Sequence, residues 1–598
     1  MNINFIKYIF SIFSIAFKKS FKSASFITLH NIIRGILPTI EILLMARFID
    51  KAISIVQNKA NYIEIVIPII LIALLVSYNW LSDKLIEFAQ IKLEMNLKEN
   101  YRVEIIKKIA SLEYRYIEDE ESCNLISRVS KEPEIEIKDS FNNLLSLMRL
   151  VFKISGIFII LFAYSWWLSL VVSIISVPLF IISIKSGKAN YEVSKDVSLY
   201  RRKSDYLGVL LTSRDNVDER ALFRYGDELS KKWINIYEKT RKIEFKVKTK
   251  WFIKMKMGSI ISAILFILIL FVFIIPVRDG IISAGIFISI SNSMFSLIQD
   301  MSWELTFLME SIAKSREYIK ELNILFSFKE SKGSIDMPSN DKELILETLE
   351  FKNVYFKYPG TKEYILKNLN LFIEKGKHYS IVGINGAGKT TITKLITGLY
   401  DDFEGEILIN GISIKNFSQS ELKLLTSVVY QDFAKYNISL IDNIALGNIN
   451  NISKKHCNEE IFNIIKIMGL EEKINSLEYG IETELGKLKE NSVDLSGGQW
   501  QKLAMVRSLI SKSSLRILDE PTSALDPISE SNFYEMYSEF SNNTTIFISH
   551  RLGSTKLADK IFVIGNGCVI ESGSHKELID NKGIYHEMYE KQKGWYAC

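Results

Sequence analysis

From Ile260 to Ile275 the chain runs without one charged residue. A stretch like this, with its flanks, approaches the roughly 20 residues needed to cross a hydrocarbon core of ~30 Å as a helix. Inside a bilayer the backbone must satisfy its own hydrogen bonds, so such a run leaves little choice but helix. The sequence predicts six spans: about Ser23–Ile49, Ile63–Leu81, Val151–Tyr164, Trp167–Ile184, Gly258–Ile275 and Ile281–Ile298, the last extended by an amphipathic stretch to about Leu325. The third and fourth are parted only by a tight turn at Ser165-Trp166. A large soluble helical core is the competing reading, and the uncharged runs favour a membrane. Whole-chain averages conceal this, since 48% apolar and 24% charged residues resemble a soluble protein. The second half reads as a soluble α/β domain.

The spacing of the spans carries more information than their number. Two long charged stretches, 82–150 and 185–250, are rich in Lys and Arg and poor in Gly and Pro. They read as helices continuing out of the bilayer and returning to it. On the other side the connections are short: about Asp50–Asn61, the 165–166 turn, and Pro276–Gly280. Excess positive charge places the long loops in the cytoplasm, together with the N-terminus and everything after residue 300. Met1–Lys19 mixes apolar and basic residues without a small-residue cleavage site, as expected of a short helix lying in the membrane interface. A net charge of +5 is too small to argue for nucleic acid as a partner. Cys123, Cys457, Cys568 and Cys598 lack metal-ligand spacing and read as reduced thiols of a cytosol-facing protein.

The first span is unusually polar, holding His30, Arg34, Pro38 and Glu41. Charge at membrane depth is costly, so His30, Arg34 and Glu41 are expected to face protein or a water-filled cavity. Their spacing can put all three on one helix face. They are candidates for lining a substrate path; local pairing or snorkelling is the alternative.

In the second half, Gly383-Ile384-Asn385-Gly386-Ala387-Gly388-Lys389-Thr390-Thr391 fits the phosphate-binding pattern of two glycines with four residues between them, followed by Lys and Thr. It follows a β-rich run, Tyr379–Val382, and precedes a helical pattern, Ile392–Leu399. The glycines let successive N–H groups point inward at an anion, and the helix N-terminus faces the same charge. Lys389 would reach the β- and γ-phosphates, and the Thr390 hydroxyl would hold Mg²⁺. Downstream come Leu495-Ser496-Gly497-Gly498-Gln499, a strand Leu515–Leu518 ending in Asp519-Glu520, then Ser523-Ala524-Leu525-Asp526, and His550 after a β-rich run. Their conjunction in this order excludes chance.

With these motifs the chain resembles an ABC exporter whose transmembrane half is fused ahead of its ATPase half. The resemblance covers nearly the whole sequence: a membrane domain at 1–325, a linker at 326–348, and an ATPase domain at 349–598 with antiparallel β and helical subdomains. It implies ATP and Mg²⁺ as cofactors and a half-transporter that dimerises, its signature Ser496–Gln499 closing over ATP held by the partner's phosphate loop. It further implies that Tyr358 stacks on adenine, Asp519 orients Mg²⁺, and Glu520 polarises the attacking water. His550 contacts the γ-phosphate, Gln431 links Mg²⁺ to the membrane half, and Asp526 joins the two active sites. With Ser496 and Glu520 both present, a homodimer with two competent sites is expected. Short helices near Glu113–Asn124 and Thr212–Phe223 are expected to dock on the ATPase domain.

Two features depart from the common pattern. Arg516 interrupts an apolar strand, which a snorkelling or edge position would accommodate. Trp500 stands where many exporters have a polar residue. Trp500-Gln501-Lys502, with Gln431-Asp432-Phe433 and Lys435-Tyr436, most resembles transporters of lantibiotics and similar modified bacteriocin peptides. This implies a peptide cargo and its modifying enzymes as partners, with multidrug or lipid export as the alternative. The first span begins close to Met1, so no N-terminal cysteine peptidase is expected.

Overall fold

The structure is a computed structural model. It describes residues 3–164, 200–213, 216–223, 225–280, 282–300, 304–336, 344–448, 459–487, 491–522, 543–549 and 552–596, with isolated positions between 165 and 199 and between 523 and 542. The helices before the first strand are α1 (Ile3–Lys19), α2 (Phe21–Val56), α3 (Val66–Leu97), α4 (Val103–Ala110), α5 (Tyr114–Glu118), α6 (Glu120–Ser130) and α7 (Pro133–Tyr164). They continue as α8 (Val217–Leu222), α9 (Gly226–Arg278), α10 (Ala284–Gln299) and α11 (Leu305–Ser327). Contacts divide the chain into one compact unit of Met1–Ile106 with Leu125–Ser327, and another of Lys107–Asn124 with Phe328–Cys598.

In the first unit the first, third and fifth predicted spans lie within the long helices α2, α7 and α9, and most of the second and sixth within α3 and α10. Among the described residues, two helical runs, Tyr62–Ala110 and Pro133–Ala163, are long and apolar enough to cross a membrane. A π turn at Lys98–Arg102 joins α3 to α4, so the helix leaves the second span and continues far into the charged stretch. The fourth span, Trp167–Ile184, and Ser165 of the predicted turn fall almost wholly outside the described residues, Trp166 itself being helical. Two predicted connections begin later than expected, and the first is also shorter. Helix α2 runs through Asp50 to Val56, leaving Gln57–Asn61, and α9 carries Pro276 inside its last turn.

Small residues set how closely these helices approach. A Cβ on Gly35 would stand 2.8 Å from Cβ of Phe152, and one on Gly285 only 2.1 Å from the backbone oxygen of Ala46. Such contacts let backbones pack where burial from lipid supplies little driving force. Gly285 also donates its N–H to Asp50 Oδ1 at 2.7 Å. Charges on these helices are paired across them: Lys153 with Asp300 at 2.5 Å, Arg149 with Glu304 at 2.9 Å, and Arg34 with Asp83 at 2.7 Å.

The second unit is built on two sheets. A four-stranded antiparallel sheet has the order β2-β1-β4-β5, with β1 Thr348–Phe356, β2 Leu366–Glu374, β4 Glu404–Ile409 and β5 Ile412–Ser413. A six-stranded sheet has the order β10-β9-β3-β8-β7-β6, with β3 His378–Gly383, β6 Thr426–Val429, β7 Leu515–Asp519, β8 Thr544–Ile548, β9 Lys560–Gly565 and β10 Cys568–Gly573. Strands β6, β7, β8, β3 and β9 run parallel, and only β10 is antiparallel. Strands β7 and β8 are buried at every position, as expected for a sheet covered on both faces. One apolar core joins both sheets through Phe351, Phe356, Ile381, Ile392 and Ile517. A second gathers the helices around Trp500.

The Gly285 contact generates a test. Because the obstructing atom is a backbone oxygen, Gly285→Ala must displace one helix, at a cost of about 1–3 kcal/mol. Thermal unfolding of the detergent-solubilised protein is expected at a lower temperature than wild type; an unchanged midpoint would contradict this packing.

Candidate nucleotide site

The phosphate loop leaves β3 at Gly383. A side chain there would place Cβ 2.3 Å from the carbonyl oxygen of Ile564, so the loop needs glycine. Gly388 is left-handed at φ 100° and caps helix α12 (Lys389–Ile396), where any other residue is strained. Ile384, Asn385, Gly386 and Thr390 are exposed, whereas Ala387 and Lys389 are buried. The Lys389 ammonium donates to the carbonyl oxygens of Gly383 at 2.8 Å and Ile384 at 3.1 Å. Burial pushes its pKa below the ordinary lysine range, while Glu520 and Asp519 act to raise it.

Asp519 ends the buried strand β7, and burial lifts its carboxyl to about 6, against a hydrogen bond with Thr390 that lowers it. Its Oδ2 is buried without a hydrogen-bond partner. An unsatisfied carboxylate oxygen on the same residue that bonds the Thr390 hydroxyl is a donor set of the hard-oxygen type suited to Mg²⁺. Glu520 follows at φ 49°, an unfavourable conformation for a side-chain-bearing residue, and its N–H is held by Ile548 O at 2.8 Å. Gln431 Nε2 donates to Glu520 Oε2 at 2.9 Å. Gln501 Nε2 donates to the Glu520 carbonyl at 3.3 Å, a contact that sequence reasoning missed. No local pattern signals it, because the two residues are 19 positions apart and only the fold buries Gln501 there.

Tyr358, half-buried, bonds the Thr391 hydroxyl at 2.9 Å through its own hydroxyl and packs edge-on against Phe356 and Tyr400. Ser496 caps helix α17 (numbered after the short helices at 419–425, 440–445, 459–467 and 471–475), which spans Gly497–Ile510. Its hydroxyl accepts from Gln499 N at 3.3 Å, and Gln499 Oε1 accepts from Ser496 N at 3.0 Å. This reciprocal cap leaves Ser496 and Gly497 exposed at a helix N-terminus, with Gly498 half-buried. Trp500 is 1% exposed, and its indole N–H donates to Asp494 Oδ1 at 3.1 Å. A residue read as a departure in a polar position is thus a core anchor one turn behind the signature. Asp526 and His550 lie outside the described residues.

Arg516 corrects an expectation. Strand β7 lies between β8 and β6 and is not an edge, and Arg516 is buried there. Its guanidinium reaches the carbonyl of Leu509 at 3.2 Å, in the last turn of α17, where a cation is favoured by the helix dipole.

The polar residues of the first span do not form one cluster. Arg34 lines a polar cavity of about 180 Å³ with Asn31, Asp83, Gln90, Asn142 and Arg149 among its walls. His30 packs tilted against Phe26 and stacks with Tyr78, and Glu41 is exposed; neither lines that cavity.

Comparison with known proteins follows the same division. The family model of the ABC transporter transmembrane region matches residues 25–301, and that of the ABC transporter matches residues 366–523. The chain is 31% identical over 94% of its length to the subtilin transport ATP-binding protein SpaT of Bacillus subtilis, covering 90% of that protein. It is 27% identical to the ATP-dependent lipid A-core flippase of Escherichia coli K12, over 88% of each chain. The solved structure of a bacterial Atm1-family ABC exporter with ATP bound superposes with a TM-score of 0.75 at 22% identity, over 95% of this chain and 98% of that one.

Trp500 separates packing from polar anchoring. Trp500→Ala is expected to cost about 3–5 kcal/mol, whereas Trp500→Phe, which loses the Asp494 bond and little volume, should cost roughly 1–2 kcal/mol. Thermal denaturation should show the larger shift for Ala; equal shifts would contradict the core placement.

Proposed function

Taking as premise that the chain belongs to the ABC transporter family, as a half-transporter of exporter type that couples ATP hydrolysis to transport, we propose that it exports a ribosomally made, modified peptide from the cytoplasm. The observation that carries the cargo is the similarity to the subtilin transport protein, 31% over nearly the whole chain. The residues around Trp500 and Gln431 add to it. The lipid A-core flippase similarity supports a second reading, export of a lipid or drug. Two copies act together, with the N-terminus and ATPase domain in the cytoplasm.

Catalysis here is positioning and charge stabilisation, since phosphoryl transfer leaves the protein little covalent work. Tyr358 stacks on adenine, while Gly383–Gly388 amides and Lys389 hold the phosphates. Mg²⁺, when bound through Thr390 and Asp519 with Gln431 nearby, neutralises phosphate charge. Glu520 orients a water for attack on the γ-phosphorus, the bond to the β–γ bridging oxygen breaks, and ADP and phosphate leave. His550 contacts the γ-phosphate. The exposed cap of Ser496–Gln499 in one copy, with Asp526, completes the site on the other. Nucleotide-driven closure and opening alternates the cargo cavity between the two sides. The cargo path includes His30, Arg34 and Glu41, with Arg34 at the wall of the polar cavity.

ATP hydrolysis by the nanodisc-reconstituted protein should fall about a hundredfold or more in Glu520→Gln, and candidate modified peptides should stimulate the wild type. Stimulation by lipids or drugs alone would move the cargo to the second reading; hydrolysis indifferent to Glu520→Gln would remove the catalytic role. Arg34→Gln and Glu41→Gln are expected to impair peptide transport while sparing basal hydrolysis. Full transport by both would remove them from the path.

A further inference from the structure

Lys394 lies on the same helix face as Thr391, one turn on along α12. Its ammonium pairs with Glu118 Oε1 at 2.7 Å and stands over three rings: Tyr114 at 5.2 Å, Tyr358 at 5.2 Å and Tyr400 at 5.9 Å. The rings brace one another, Tyr114 against Tyr400 at 5.5 Å and Tyr358 against Tyr400 at 5.6 Å, both edge-on. Tyr114 and Glu118 are four residues apart on α5, so a single face of that helix supplies a ring and a carboxylate to one cation. The Lys394 side chain is 15% exposed, which makes these contacts stronger than surface ones. Burial disfavours the ammonium, but the Glu118 bond and the tyrosines more than offset it and hold its pKa above the ordinary range.

Tyr358 is therefore tied on one side to the phosphate-loop helix through Thr391, and on the other to α5 through Lys394. Helix α5 belongs to the segment Lys107–Asn124, which is compact with the ATPase domain yet continuous in sequence with α4 and α6. Together they make up the turn of the first long charged stretch.

We propose that Lys394 transmits occupancy of the adenine platform to the first long loop, by joining Tyr358 to Tyr114 and Glu118 of α5. The inference rests on Tyr358 being that platform. A base stacked on Tyr358 fixes the ring and with it the cation and α5; an empty platform leaves the cage looser. Lys394 touches no reacting atom, so it is a positioning residue for the coupling of hydrolysis to transport.

The test uses the full chain in nanodiscs, with Cys123, Cys457, Cys568 and Cys598 changed to Ser. A spin label is placed at Val56→Cys, an exposed residue at the end of α2. The distance between labels in the two copies is read with and without Mg-ATP in a Glu520→Gln background; KM for ATP and kcat are read with Glu520 intact. Lys394→Met should raise KM for ATP and shrink the ATP-driven distance shift, each by about fivefold or more, with kcat at saturating ATP nearly unchanged. Lys394→Arg, which keeps charge and stacking, should restore both. Glu118→Gln, at a partly exposed site that spares the fold, should show the same defects more weakly. Normal KM and full distance shift in Lys394→Met and Glu118→Gln would overturn the proposal. So would a Lys394→Met that loses kcat with everything else while Glu118→Gln is normal, since that is a folding role. If the reference protein shows no ATP-driven shift, ATP-driven alternation itself fails, and the inference falls with it.

Discussion

The Lys389 ammonium is the charge on which the ATPase half depends. It is buried, donates to two carbonyl oxygens of its own loop, and lies within the influence of Asp519 and Glu520. Holding a cation there costs solvation, and the loop carbonyls and neighbouring carboxylates offset that cost. The parallel sheet makes the arrangement possible, because β3 ends in the loop and β7, one strand removed beyond β8, ends in the carboxylates. Both sets of groups thus meet beyond the strand ends, where open α/β sheets bind ligands. The unpartnered Oδ2 of Asp519 and the left-handed backbone of Glu520 fall side by side at this strand end.

The membrane half solves a different problem with different means. Lipid offers no hydrophobic reward for helix association, so close glycine contacts and ion pairs between helices do that work. Arg34 with Asp83 joins consecutive helices, while Arg149 with Glu304 and Lys153 with Asp300 join segments about 150 residues apart. The first two pairs also supply charge to the walls of the polar cavity, where Arg34, Asp83 and Arg149 stand. Helix packing and the polar cavity therefore draw on the same residues.

The motif-bearing positions were legible in sequence because their chemistry demands particular residue types at fixed spacing. Gly383 to Thr391 could be placed between a strand and a helix before any coordinate, and the structure puts them there. Gln431 and Glu520, 89 positions apart, meet through a hydrogen bond that no local pattern reveals. Arg516 was misread because strand order is a long-range property: a charged residue suggests an edge, and only the sheet shows that its partner is the end of a packed helix. The connections after the first and fifth spans were begun too early for a related reason. Asp50 and Pro276 look like breakers, yet Asp50 is held by Gly285, and Pro276 stands in the last turn of its helix. His30, Arg34 and Glu41 share a spacing, but side-chain neighbours on other helices, invisible in one sequence, decide which of them faces a cavity.

The central claim is that ATP is bound between the phosphate loop of one copy and the signature cap of another. Cysteines at Asn385 and Ser496, both exposed within the single chain, test it directly in the Glu520→Gln protein lacking native cysteines. With Mg-ATP and a short thiol cross-linker, the account predicts a covalent band of twice the chain mass that is absent without nucleotide. A cross-link that forms only within one chain, or one indifferent to ATP, would contradict it.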